Sequence, residues 1–133
     1  PSFKPHLIHR DFHPANVLWV NGQVSGVVDW INGCMGPLGV DVGHCRTNLI
    51  QLFGIPAADR FLQYYSAFAE KHFVFTYDPY WDLASLLDFV DERPPEVYQG
   101  WVDLGVTGLT DELIKERMEQ YLHHLLDQLP QLN

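Results

Sequence analysis

Basic residues are scarce in this chain. Eight lysines and arginines stand against 17 aspartates and glutamates, a formal net charge of −9 over 133 residues. That balance excludes a surface built to neutralise phosphates, so nucleic acid is not an expected partner. Cysteine is equally sparse. Cys34 and Cys45 are too few for a disulfide framework and are expected as reduced thiols in a cytoplasmic protein. No apolar run approaches the roughly 20 residues of a membrane-spanning helix, and no basic-then-apolar leader precedes the body, so no membrane partner is expected. Repeats and low-complexity segments are absent too. What is present is 47% hydrophobic and 19% charged, the composition of a folded domain, and the length suffices for one domain with its own core.

Hydrophobic periodicity changes once, near residue 38, from strand-like to helical. His6–His9 reads as a short strand. Val17–Val20 and Val24–Val28 flank Asn21-Gly22, the strongest short hairpin signal, so a β-hairpin is expected over 17–29. One loop leads into it (9–16) and another leads out (29–38). Four helices are expected after that. The first covers about Val40–Phe53, with Val42, Cys45, Leu49 and Leu52 on one face and Gly54 as its C-terminal cap. The second covers about Ala57–His72, with a stripe of Phe61, Leu62, Tyr65, Phe68 and Ala69. The third begins with Asp78 as cap and Pro79 at the first helical position, and turns Leu83, Leu86, Leu87 and Val90 inward. Residues 96–109 carry three glycines and no clean period. The last helix starts after Thr110, with Asp111 and Glu112 at its positive end and an apolar face from Leu113 to Leu129.

The informative stretch is His9-Arg10-Asp11-Phe12-His13-Pro14-Ala15-Asn16, followed by Val27-Val28-Asp29-Trp30. Asp11 and Asn16 leave a strand five residues apart, and Asp29 follows at the end of the hairpin. A hairpin returns its second strand beside the start of its first, so the three oxygen-bearing side chains can converge. Phosphoryl transfer needs such convergence. Mg²⁺ is a hard cation that takes carboxylate and amide oxygens, and a further carboxylate must accept or orient the proton of the acceptor. In protein kinases the pattern H-R-D-x-x-x-x-N supplies the base and one metal ligand, and a later Asp at a hairpin end supplies the other. By that pattern Asp11 is the base, and Asn16 and Asp29 are the metal ligands.

At these residues the chain resembles the aminoglycoside phosphotransferase and choline kinase-like family of small-molecule kinases. The usual form there is H-x-D-x-H-x-x-N, an Asp after a short hairpin, and a further Asp at a helix start; here these are His9, Asp11, His13, Asn16, Asp29 and Asp41. The resemblance is close over about residues 6–53. It implies an α+β fold, the C-terminal lobe of a protein-kinase-like architecture, mainly helical, with a small β-hairpin carrying the catalytic and metal loops. Residues 1–38 would hold the loop and hairpin, and 39–133 the helical part. It implies ATP as phosphoryl donor, with GTP left open, Mg²⁺ as cofactor, and a small-molecule acceptor. His9 and His13 would support the catalytic loop, and Asp41 would brace it through its backbone amides.

His13 stands where a Ser/Thr protein kinase carries Lys. Only 12 residues separate Asp29 from Asp41, too few for a long activation segment, so a protein acceptor is not expected. Arg10 departs from the family in standing where many members have Gly, and Trp30-Ile31 replace the Phe-Gly of protein kinases. No Gly-rich phosphate loop and no strand Lys for the nucleotide phosphates occur in the chain. Both would lie on an N-terminal lobe, so this chain is expected to be a fragment, inactive by itself, whose partner is that lobe. Asp88, Asp91 and Glu92 form an acidic patch at a helix end and are the candidates for binding an amine of the acceptor.

Two other readings compete. His9, Asp11 and His13 alternate as on one face of a strand and could bind Zn²⁺ in a hydrolase. Alternatively the chain is a catalytically silent kinase-like interaction module.

Overall fold

The computed structural model describes residues 4–90 and 94–128. Four short strands come first: β1 (His6–Ile8), β2 (Val17–Val20), β3 (Gln23–Val27) and β4 (Cys34–Gly36). Five helices follow: α1 (Gly39–Phe53), α2 (Ile55–Ala69), α3 (Tyr80–Val90), α4 (Gln99–Asp103) and α5 (Asp111–Gln128). The mixture of helices with small antiparallel sheets is α+β. No helix among the described residues is long and apolar enough to cross a membrane.

The expected hairpin forms with β2 against β3, pairing Val17 with Val27 and Val20 with Gln23. Asn21 and Gly22 turn it, both at positive φ (52° and 75°), as a tight hairpin turn of matching twist requires. A bulge between Leu18 and Trp19 breaks the register. β1 finds its partner in β4, within the 29–38 stretch expected as a loop. His6 faces Gly36 and Ile8 faces Cys34, antiparallel. Three residues, Cys-Met-Gly between Gly33 and Pro37, are too short to carry a period-2 signal, and only the return of the chain past β1 makes them a strand.

α1 is the central element. Its sequence suggested one apolar face, yet Arg46, Thr47, Asn48 and Gln51 are buried along with Val42, Cys45, Ile50 and Leu52. α2, α3 and α5 surround it. Gly39 and Gly43, one turn apart, admit α3: a Cβ on Gly39 would enter the Trp81 ring, and one on Gly43 would meet the Trp81 backbone carbonyl. The apolar core gathers Ile50, Leu52, Ala58, Leu86, Trp101, Ile114, Met118, Tyr121 and Leu125. The uninterpreted stretch 96–109 therefore supplies a large core side chain, Trp101 on α4. Asp78 caps α3 as expected, its Oδ1 accepting the Tyr80 amide at 2.9 Å. Thr110 Oγ1 accepts the Leu113 amide at 3.2 Å and caps α5. α2 begins and ends earlier than its periodicity indicated. Leu87, Val90 and Phe68, expected inward, are exposed. Leu87 and Val90 instead border an apolar groove between α3 and α5. Leu129 lies outside the described residues.

Arg46 is the buried charge that joins the helices. Its Nε donates to Asp82 Oδ1 on α3 at 2.9 Å and to the Tyr121 hydroxyl on α5 at 3.2 Å. Nη1 donates to the Ala58 carbonyl at 3.0 Å and Nη2 to Asp59 at 3.2 Å, both on α2. Tyr77 donates to the same Asp82 oxygen at 2.8 Å. Burial alone would discourage the charge on Arg46. The Tyr121 hydroxyl and the carboxylate of Asp82 outweigh it and hold the guanidinium charged. Truncating one partner would leave the other charge buried and unpaired. Asp82→Ala is therefore expected to cost about 3–5 kcal/mol of stability, measured by urea unfolding with circular dichroism.

Candidate active site

The loop between β1 and β2 is held from α1. Asp41, in the first turn of α1, accepts the His9 amide at Oδ2 and the Arg10 amide at Oδ1, both at 2.7 Å. Arg10 adopts φ 68°, a region that glycine enters freely and a side chain resists. The two charge-assisted bonds to Asp41 offset that strain, so a non-glycine residue is tolerated here.

His9 joins this loop to the far end of the hairpin. Its Nε2 lies 2.7 Å from the Val28 carbonyl and must donate to it. Nδ1 is then the bare nitrogen, and it accepts the Asp11 amide at 3.2 Å. The ring is fully buried and sits against Trp30, with centroids 4.6 Å apart. The Val28 amide donates to the Asn16 carbonyl at 2.9 Å. These contacts bring Asp11, Asn16 and the segment leading to Asp29 to one end of the hairpin. Asp29 has φ 65° and ψ 53°, the left-handed conformation that Asp tolerates better than most residues.

The Asp11 carboxylate is engaged at both oxygens. Asn16 Nδ2 donates to the Asp11 carbonyl at 2.9 Å and reaches Oδ2 at 3.3 Å. His44 Nε2 lies 3.1 Å from Oδ1, and His13 Nε2 lies 3.6 Å from the same oxygen. Burial is the leading cause that lowers the proton affinity of both histidines below the ordinary value, against the opposing pull of Asp11. Asp29 also pulls weakly on the His13 proton. Asp11 opens onto a cavity of about 640 Å³. His13, His44, Asn48, Gln51 and Glu96 add polar groups to its wall, and Phe89, Tyr98 and Trp101 add rings. Asp111 Oδ1 accepts the Val97 amide at 2.8 Å and so fastens the Glu96–Tyr98 edge to α5.

The donor set suits a hard cation. Asn16 spends its amide nitrogen on Asp11, which leaves its carbonyl oxygen as an acceptor. Asp29 is exposed, and among the described residues no donor engages its carboxylate. Amide and carboxylate oxygens are what Mg²⁺ takes. Zinc is a poorer fit. Both ring nitrogens of His9 are committed within the fold, and among the described residues no three His, Cys, Asp or Glu side chains cluster as a metal site.

The expected acceptor residues fare differently. Asp88 is exposed on α3 and does not line the cavity, though it is near enough to raise the proton affinity of His44. Asp91 and Glu92 lie outside the described residues. The sequence reading missed His44, Asn48, Gln51 and Glu96. The first three had a signal: they follow Asp41 by 3, 7 and 10 residues, a helical spacing that continues its face. Glu96 had none.

The model of the Phosphotransferase enzyme family matches residues 1–76, more than half of the chain. No curated protein and no solved structure matches it.

Two outcomes are expected of this geometry. Asp41→Ala frees the His9 and Arg10 amides, and hydrogen bonds to a charged group are worth about 1.5–3 kcal/mol each. Urea unfolding should show a loss of at least that order, and the two amides should exchange hydrogen faster. The histidines give a pH dependence of definite sign. Unfolded, His13 and His44 titrate near 6.5, while the fold depresses both. Below pH 6.5 the unfolded chain takes up protons that the native state refuses. This contribution is therefore constant above pH 6.5 and is lost as pH falls from there through the depressed folded values. Urea midpoints on either side of pH 6.5, compared with those of His13→Gln/His44→Gln, would measure it.

Proposed function

The chain belongs to the phosphotransferase enzyme family, and on that premise we propose that it is the C-terminal lobe of an ATP- and Mg²⁺-dependent kinase that phosphorylates a hydroxyl of a small molecule. The observation that supports this most directly is the Asp11 carboxylate, held at both oxygens and opening onto a cavity large enough for such an acceptor. Asp11 accepts or orients the proton of the attacking hydroxyl. Asn16 and Asp29 would hold Mg²⁺, and the bound cation would supply positive charge for the nucleotide phosphates. His9, His13 and Asp41 support the loop, with His9 tying it to the hairpin exit and Asp41 bonding its amides.

The cavity lining supports an acceptor with several polar groups. Glu96 could meet an amine, Asn48 and Gln51 hydroxyls, and the rings a carbon skeleton. An aminoglycoside- or amino-alcohol-like molecule has this character. The nucleotide, ATP in this reading and GTP by the same contacts, also needs the Gly-rich loop and Lys of an N-terminal lobe. Leu18 and Val20 on one face of the hairpin, and Trp19 beside Val24 on the other, are exposed apolar side chains, which suits a covering lobe of the same protein.

The test is calorimetry of ATP binding to the full gene product with and without Mg²⁺. Binding that needs Mg²⁺ and is lost in Asp29→Ala is expected, whereas residues 1–133 alone should bind weakly or not at all. Asp11→Asn should keep the fold and lower turnover by about 10²–10⁴-fold, the range for a general base. A well-folded full gene product that binds no Mg-ATP would point instead to an interaction module.

A further inference from the structure

We infer that His44 is a positioning residue for Asp11, an inference that rests on the kinase reading above. The geometry is specific. A carboxylate can only accept, so at 3.1 Å His44 Nε2 carries the proton and donates it to Asp11 Oδ1. Burial keeps the ring neutral, and a neutral imidazole presents one donor without adding a positive charge beside the base. The ring is itself held. Phe89 of α3 packs on it with centroids 5.4 Å apart at 31°.

Asp41 and His44 lie three residues apart on α1 and therefore on one helical face. The first holds the loop by its backbone; the second holds the reacting side chain. Asn16 approaches the other oxygen only at 3.3 Å, and His13 stands off at 3.6 Å from Oδ1. Among the described residues His44 is thus the shortest side-chain contact to the Asp11 carboxylate, and it leaves the remaining lone pairs of Asp11 for the hydroxyl in the cavity. Without it the carboxylate could rotate, and the fraction of time spent in a productive orientation would fall.

The experiment compares His44→Phe, which keeps a packed ring without a donor, with His44→Gln, whose side-chain amide can donate from nearly the same place. The assay is Mg-ATP hydrolysis by the full gene product, with water as acceptor. His44→Phe should lower turnover about 10–10²-fold, the usual cost of losing an orienting partner, with KM for ATP unchanged. His44→Gln should recover most of the loss. On an Asp11→Asn background His44→Phe should cost less than about twofold, because the group it orients no longer acts as a base. Full activity in His44→Phe, equal losses in both variants with unchanged melting, or penalties that multiply on the Asp11→Asn background would each overturn the inference. Imidazole nitrogen spectra of the wild-type protein provide a second measurement that does not depend on any His44 variant folding. His44 should carry its proton on Nε2, and that signal should move in Asp11→Asn; a proton on Nδ1 overturns the inference. A wild-type protein that neither binds nor hydrolyses Mg-ATP would overturn the kinase reading itself, a failure visible before any variant is made.

Discussion

A guanidinium taken out of water needs every one of its hydrogen bonds, and Arg46 finds partners on three helices besides its own. It is 2% exposed, and Asp82 beside it is equally buried. Such a pair adds little net stability relative to a well-packed apolar substitute, because desolvation opposes the attraction. Its consequence is geometric. Asp82, Tyr121, Asp59 and the Ala58 carbonyl can satisfy Arg46 together only if α2, α3 and α5 sit at one set of positions around α1. The glycines at 39 and 43 set the remaining distance, letting Trp81 lie directly on α1.

That arrangement reaches the candidate site because α1 serves both ends. Its middle is fixed by Arg46, and its first turns present Asp41 and His44 to the loop after β1. Two residues of the site region, Arg10 and Asp29, hold backbone conformations that side chains resist. They flank the loop and the hairpin exit, and His9 lies buried between the two segments with both nitrogens bonded. Strain of this kind persists where surrounding contacts over-determine it. Here the contacts are the Asp41 carboxylate and the His9 ring.

Much of the site region was legible along the chain because its parts are local. Asp11 and Asn16 share one short loop, Asn21-Gly22 announces the hairpin, and Asp29 follows at its end. Asp41 stood out as an acid in the first turn of a helix. The cavity wall was not legible in the same way. Glu96 and Trp101 come from a stretch with no clean period, and their place follows from the Val97–Asp111 bond and from the core that Trp101 fills. Asp88 looked like an acceptor contact because acidic residues cluster near it, yet a helix rotates neighbouring residues by about 100°, and Asp88 turns to solvent beside Phe89, which does line the cavity.

The sequence by itself determined the residue types, their spacing and the turn that folds one strand back on the other, because each depends on contacts within a few residues. It determined the helical character of the chain after residue 38 through apolar periodicity. Only the tertiary structure decided that Arg46, Asn48 and Gln51 go inside, since a polar residue can be buried only where partners from distant segments meet it. Only there, too, did Cys34–Gly36 become a strand and His44 come to face Asp11, 33 residues away. Periodicity records which side of an element avoids water. It carries no record of which distant group will complete a hydrogen bond.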